Sequence, residues 1–233
     1  MMEIWGHRGA GAYAPENTVA AFKMAVDMGA DGVELDIQLT KYNEVVVIHD
    51  ETLERICGRK GNVSDYSFAE LKEFMDIPTL TEVFELISHT RLKINVELKT
   101  GNVWYEGIEN KAVNLAQRFN MMDRVIWSSF NHYSVQNIKI IDPSAKTALL
   151  CGGGILITAG QCKLFGADAM HCDVRQMRHP GIIQDCHNHG IDIRAWTVDS
   201  YDDFKFAYES GVDAVITNVI DKAKDAMQSV RVV

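Results

Sequence analysis

The chain has 233 residues, 47% hydrophobic and 24% charged, the composition of a globular protein with enough apolar material for one sizeable core. Its formal net charge of −9 argues against a nucleic-acid binder, which needs a basic face, and requires any anionic substrate to meet a local site of Arg, Lys or a cation. No apolar run approaches the roughly 18 residues that span a bilayer, no signal-peptide pattern opens the chain, and the five scattered cysteines (Cys57, Cys151, Cys162, Cys172, Cys186) suggest neither a disulfide framework nor a metal motif. Together these point to a cytoplasmic protein without integral membrane association.

Met1–Trp5 reads as a short first strand that delivers His7 and Arg8 between glycines, Gly6-His7-Arg8-Gly9-Ala10-Gly11. Histidine suits proton transfer near neutral pH and arginine suits a phosphate. Pro15-Glu16-Asn17-Thr18 leads into a helix carrying Ala20, Ala21, Met24, Ala25 and Met28, which Gly29 stops. Gly32–Thr40 alternates strictly, with Val33, Leu35, Ile37 and Leu39 on one face and Glu34, Asp36 and Gln38 on the other. Lys41–Glu44 forms a turn and Val45–His49 a further strand. A link this short cannot be a parallel crossover, which takes about a dozen residues, so the pair is an antiparallel hairpin. Centring its turn on Lys41–Glu44 sets Thr40 opposite Val45 and Asp36 opposite His49.

Residues 50–78 read as an exposed loop with a short helix at Ser67–Phe74, and Thr79 caps a helix through Ile87. Strands then fall at Lys93–Leu98, Arg124–Ser128, Lys146–Leu150, Asp168–Cys172, Asp192–Trp196 and Asp213–Thr217. Helices fall at Tyr105–Phe119, Tyr133–Ile140, Ile155–Phe165, Pro180–His189, Asp202–Glu209 and Ile220–Val230. Setting the second hairpin strand aside leaves eight strands, nearly all separated by helices. That count predicts a (β/α)8 TIM barrel as one domain over residues 1–233, with Val45–His49 as an extra strand and 51–76 as a short insertion near the barrel mouth. A doubly wound open sheet is the alternative.

A barrel of this kind carries its site at the C-terminal strand ends. Those ends bear His7 and Arg8, Glu34 and Asp36, Glu97 and Lys99, Ser128 and Ser129, His171, and Trp196. Glu34, Asp36 and Glu97 point inward, and three converging carboxylates repel one another unless a cation sits among them. Oxygen ligands select a hard ion, Mg²⁺ or Ca²⁺, over zinc. His7 and His49 flank that ion, Lys99 and Arg8 face a phosphate, and Trp196 is either core or an aromatic wall of the pocket. His187-x-His189 reads as a helix terminus, Gly152-Gly153-Gly154 as a loop, and His89 and His132 as surface residues.

Gly6-His7-Arg8-Gly9, Pro15-Glu16-Asn17-Thr18, Gly29-Ala30-Asp31, Glu34-x-Asp36, Val47-x-His49-Asp50, Ile77-Pro78-Thr79-Leu80, Glu97-x-Lys99, Ser129-Phe130 and Ala195-Trp196-Thr197-Val198 occur in this order. The series resembles the glycerophosphodiester phosphodiesterases, of the phospholipase-C-like barrel superfamily, and covers nearly the whole chain. The resemblance implies hydrolysis of small glycerophosphodiesters to sn-glycerol 3-phosphate and an alcohol, in glycerol and lipid metabolism. It also implies His7 and His49 as the acid–base pair, Glu34, Asp36 and Glu97 as ligands of one divalent cation, and Arg8 and Lys99 on the phosphate. Glu51–Asp76 is shorter than the inserted region of many members. Phospholipase-D-like cleavage or cyclising transfer on lysophospholipids stands as the alternative activity, and association into homo-oligomers is left open. The carboxylates near His49 favour it as the acid, with His7 as the base.

Overall fold

The computed structural model describes residues 2–152 and 159–231. The chain runs β1 (Glu3–Gly6), α1 (Val19–Asp27), β2 (Gly32–Leu39), β3 (Val45–Val47), α2 (Glu54–Cys57), a 3-10 turn (Val63–Asp65), α3 (Phe68–Phe74), α4 (Leu80–Ser88) and β4 (Lys93–Leu98). It continues through α5 (Ile108–Arg118), β5 (Val125–Ser129), α6 (His132–Ile141), β6 (Lys146–Cys151), α7 (Ala159–Phe165), β7 (Ala169–Asp173), α8 (Val174–Met177), α9 (Ile182–Asn188), β8 (Asp192–Trp196), α10 (Tyr201–Ser210), β9 (Ala214–Thr217) and α11 (Ile220–Arg231). β1, β2 and β4 to β9 form a ring of eight parallel strands closed by the β1–β2 pairing, and β3 lies outside it, antiparallel to β2.

Local sequence sets the helix starts. The Thr18, Ser67 and Thr79 side chains accept the backbone N–H of Ala21, Glu70 and Glu82. At the last two, the glutamate reaches back to complete a capping box. Alternation in the strands divides the core. Val33, Leu35 and Ile37 face outward with Phe22, Val83 and Phe84 of the helices. Trp5, Ile126, Ala148, Ala169, Ala214 and Ile216 fill the barrel interior, the three alanines leaving width for the indole. Gly32 is needed for the same reason: a Cβ there would meet the Trp5 ring at 2.8 Å. This interior packing is the floor on which the strand-end side chains stand.

Several expectations need correction. The hairpin pairs Ile37 with Val47 and Leu39 with Val45, one residue away from the register expected. Thr40 belongs to the turn instead, where its backbone N–H and Oγ1 both bind Glu44, so Asp36 falls opposite Ile48 and accepts its N–H. The segment after His49 is not a solvated loop. Leu53, Val63, Leu71 and Ile77 pack with Val46 and Ile48 into a separate small core. Pro180–His189 begins later than expected, at Ile182, and is preceded by α8. Cys151 and Cys172, 21 residues apart, are opposite each other in the β6–β7 register and form a disulfide, which their scattered spacing gave no reason to expect. His132 is half-buried and bonds the Leu150 carbonyl at 3.0 Å. Ile155 and Gly153-Gly154 lie outside the described residues.

Gly32→Ala should destabilise the protein by about 1–3 kcal/mol through overpacking against Trp5. Chemical denaturation measures this, and an unchanged midpoint would show that the indole does not set the barrel width.

Candidate active site

β1 ends in a sharp turn. Arg8 takes a left-handed backbone (φ 52°) followed by Gly9 (φ 83°), which is rare for a side-chain-bearing residue and is found where a site demands it. The turn aims the Arg8 N–H at Glu34 Oε2, 2.9 Å away. Its guanidinium donates to Glu16 at 2.8 Å and lies 3.5 Å from Asp36. Burial alone would lower its pKa, but Asp36, Glu34 and Glu16 outweigh that and hold the charge. His7 is oriented from the neighbouring strand, β9, which pairs with β1. Asn218, beyond the end of β9, gives its Nδ2 hydrogens to Asp199, so its Oδ1 accepts from His7 Nδ1 at 2.9 Å. The proton is thereby placed on Nδ1, and Nε2 lies 3.9 Å from Glu34. Burial, then Arg8, lowers the His7 pKa and keeps the ring neutral.

β2 and β4 supply the acidic centre. Their register pairs Asp36 with Glu97, and Glu34 shares the inward face with Asp36. One oxygen from each of Glu34, Asp36 and Glu97 lies within 4.8 Å of the others, all buried. Burial, then Asp36 and Glu97, raises the Glu34 pKa well above the usual value. Burial and Asp36 push Glu97 up to about 7. Asp36 moves the other way. Burial opposes its ionisation, but Lys99, His49 and Arg8 outweigh it. Lys99 donates to Glu97 at 2.8 Å and lies 3.8 Å from Asp36. Asn17, also left-handed (φ 58°), donates to Asp36 Oδ2 at 2.9 Å, while the buried Asp36 Oδ1 has no hydrogen-bond partner among the described residues. A hard divalent ion fits this set of crowded, all-oxygen, under-satisfied donors.

His49 arrives from beyond β3. The Gln38 side chain donates to the carbonyls of Ile48, His49 and Asp50 at 3.1, 3.0 and 2.8 Å, and Tyr105 holds its other end. That clamp fixes the His49 backbone beside the mouth despite the shifted hairpin register. His49 Nδ1 is 2.6 Å from Asp50 Oδ1. Hydrogen bonding to Arg55 above all holds the Asp50 carboxyl down at about 2, so it is ionised. His7, Arg8, Glu34, His49, Asn95, Glu97 and Trp196 line one cavity of about 100 Å³ with Phe130, Leu150, Thr197 and Ile216. Phe130 meets Trp196 edge to face at 5.7 Å, so the tryptophan is a pocket wall.

The remaining candidates fall elsewhere. His171 is fully buried in the barrel interior against Arg194, and burial drives its pKa far down. Ser128 faces inward and Ser129 bonds the Leu98 carbonyl. His187 pairs with Asp213, and His189 with Asp185 on its own helix. The sequence reading missed Asn218, Asp199, Gln38 and Arg55. Asn218 follows the end of β9, so extending the strand-end inventory to that strand would have found it. The other three hold side chains or backbone from behind, and only the folded contacts reveal them.

The sequence profile of the "Glycerophosphoryl diester phosphodiesterase family" matches residues 7–222. A protein of Caldanaerobacter subterraneus subsp. tengcongensis named glycerophosphodiester phosphodiesterase is 39% identical, over 92% of this chain and 93% of its own. One of the same name from Bacillus altitudinis is 35% identical over 96% and 97%. A crystal structure of glycerophosphodiester phosphodiesterase from Thermotoga maritima superposes with a TM-score of 0.84 at 26% identity, over 97% of this chain and 98% of that one.

Glu34 and Glu97 both have folded pKa values raised above the usual 4.5, so their contribution to stability is complete below that value and is lost as pH rises, for Glu97 through about 7. The melting midpoint of the chelator-treated protein should therefore fall between about pH 5 and about pH 8. Added Mg²⁺ or Ca²⁺ should raise it more at the higher pH. An ion effect absent, or equal at both, would contradict the assignment of these carboxylates as a cation site.

Proposed function

This chain belongs to the glycerophosphoryl diester phosphodiesterase family and is a phosphodiesterase, and on that premise we propose that it hydrolyses small glycerophosphodiesters to sn-glycerol 3-phosphate and an alcohol, the whole chain acting as one catalytic unit. The observation that carries this reading is the opposite anchoring of two histidines across one acidic cluster, His7 by the Asn218 amide and His49 by the Asp50 carboxylate. Supporting it are the small cavity, which suits a compact polar group, and its aromatic wall of Phe130 and Trp196.

The reaction follows from the proton positions. His7 is neutral with its proton on Nδ1, so Nε2 takes the proton of the attacking oxygen, which belongs to water or to the glycerol 2-hydroxyl. A bond forms between that oxygen and phosphorus, and the bond from phosphorus to the alcohol oxygen breaks; where the 2-hydroxyl attacks, water then adds to the cyclic phosphate and its bond from phosphorus to the 2-oxygen breaks, giving sn-glycerol 3-phosphate. His49, held through Nδ1 by the Asp50 carboxylate, acts as the proton donor to the leaving oxygen. Arg8, whose buried Nε lacks a hydrogen-bond partner among the described residues, and Lys99 grip the phosphoryl oxygens as charge builds. Glu34, Asp36 and Glu97 hold one divalent cation, Mg²⁺ or Ca²⁺, which when bound supplies further positive charge to those oxygens. Asn218, with Asp199 behind it, fixes the His7 tautomer.

Incubation with glycerophosphocholine, followed by phosphorus NMR, should show sn-glycerol 3-phosphate formed with Mg²⁺ or Ca²⁺ and not in excess chelator. A transient cyclic phosphate identifies the 2-hydroxyl as nucleophile. Turnover of lysophospholipid alone would instead establish phospholipase-D-like cleavage. His7→Ala and His49→Ala should each lower kcat by about a hundredfold or more while the melting midpoint holds. Near-normal turnover in either folded variant would remove that histidine from the mechanism.

A further inference from the structure

Arg55 lies on the four-residue helix α2 of the inserted segment, with its side chain about half exposed (48%). An arginine in that position ordinarily has one partner or none. This one forks onto two carboxylates. Its Nε and Nη2 donate to the two oxygens of Asp50, and its Nη2 and Nη1 donate to the two oxygens of Glu16, the latter pair at 2.6 and 3.1 Å. Each carboxylate has a second partner. Asp50 Oδ1 receives His49 Nδ1 at 2.6 Å, and Glu16 Oε1 receives Arg8 Nη1 at 2.8 Å. One guanidinium thus joins His49, from beyond β3, to Arg8, from the turn after β1.

The mounting of Arg55 is rigid. Leu53 is fully buried, its backbone N–H bonds the Gly61 carbonyl, and Val63 N–H bonds Glu51, so the segment folds back on itself over its own core. We propose that Arg55 is a positioning residue which, through Asp50 and Glu16, fixes the His49 imidazole and the Arg8 guanidinium relative to each other across the substrate phosphate. The fork geometry matters more than the charge. A planar guanidinium presents donors in two directions at once, whereas a lysine ammonium is a point charge on a flexible stem. The two ends are not equally dependent on it. Arg8 is also held by its N–H on Glu34 and by proximity to Asp36, whereas the His49 ring has Asp50 as its ring-nitrogen partner. Loss of Arg55 should therefore affect proton donation, and so kcat, more than substrate binding. The inserted segment acquires a catalytic purpose on this account: it closes the mouth with a strut as well as with surface.

The kinetic arm of the test rests on the proposed diester hydrolysis, and the crystallographic arm does not. Arg55→Ala should lower kcat by about ten- to a hundredfold with a smaller change in KM, as expected when a proton donor is held about an ångström out of place. Its melting midpoint should stay near that of the wild type, because exposed ion pairs add little to stability. Arg55→Lys should be no better than Arg55→Ala. Guanidinium chloride at low, non-denaturing concentration should restore part of the kcat of Arg55→Ala, and ammonium chloride should not. The crystal structure of Arg55→Ala should show the His49 ring displaced or in more than one orientation. Wild-type kcat in Arg55→Ala or Arg55→Lys would overturn the proposal. So would a variant crystal structure in which both His49 and Arg8 are unmoved. If the wild type itself turns over no glycerophosphodiester, the functional reading fails, and the position of His49 in the variant alone decides the role of Arg55.

Discussion

Glu34, Asp36 and Glu97 are buried together where charges of one sign are most costly, and the surroundings of the site are arranged around that cost. The barrel imposes the crowding, since the β2–β4 register sets Asp36 beside Glu97 and strand alternation adds Glu34 to the same face. Relief comes from specific neighbours. Lys99 takes Glu97, the Arg8 N–H takes one oxygen of Glu34, and Asn17 takes one oxygen of Asp36. The relief is incomplete, for Asp36 keeps a buried oxygen without a hydrogen-bond partner among the described residues and Glu97 is driven to about 7. Incomplete compensation of this kind is what a divalent ion completes.

Burial, which makes the carboxylates costly, also separates the two histidines. Burial, then the Arg8 charge, disfavours a second proton on His7, and an amide fixes its tautomer. His49 sits toward the rim, where ionised Asp50 accepts its Nδ1 hydrogen. The proposed base and acid are one residue type in two placements: His7 just after the ring strand β1, and His49 just beyond β3, which lies outside the ring. The inserted segment, with Arg55 between Asp50 and Glu16, ties those placements together.

Much of this was legible in the sequence because strand alternation and strand ends are local properties. The inward faces of Glu34 and Asp36, the helix cap at Thr79, and the eight-strand ring all follow from short-range pattern. What escaped depends on contacts between distant residues. The hairpin register is the local exception, for it turned on Thr40 choosing Glu44, four residues on, over a strand partner. The Cys151–Cys172 bond needed the β6–β7 register. His171 looked like a site residue by position, yet it lies fully buried beside Arg194 in the barrel interior. Gln38 and Asn218 act from behind the histidines, and their chemistry carries no motif.

The central claim is that the buried carboxylates form a cation site whose protons must leave when the ion enters. Calorimetric titration of Mg²⁺ or Ca²⁺ near neutral pH, in buffers of different ionisation enthalpy, measures those protons directly. The account predicts one tightly coupled binding event that releases protons, with the release lost in Glu97→Gln together with much of the affinity. Binding without proton release, or no binding in the wild-type protein, would contradict it.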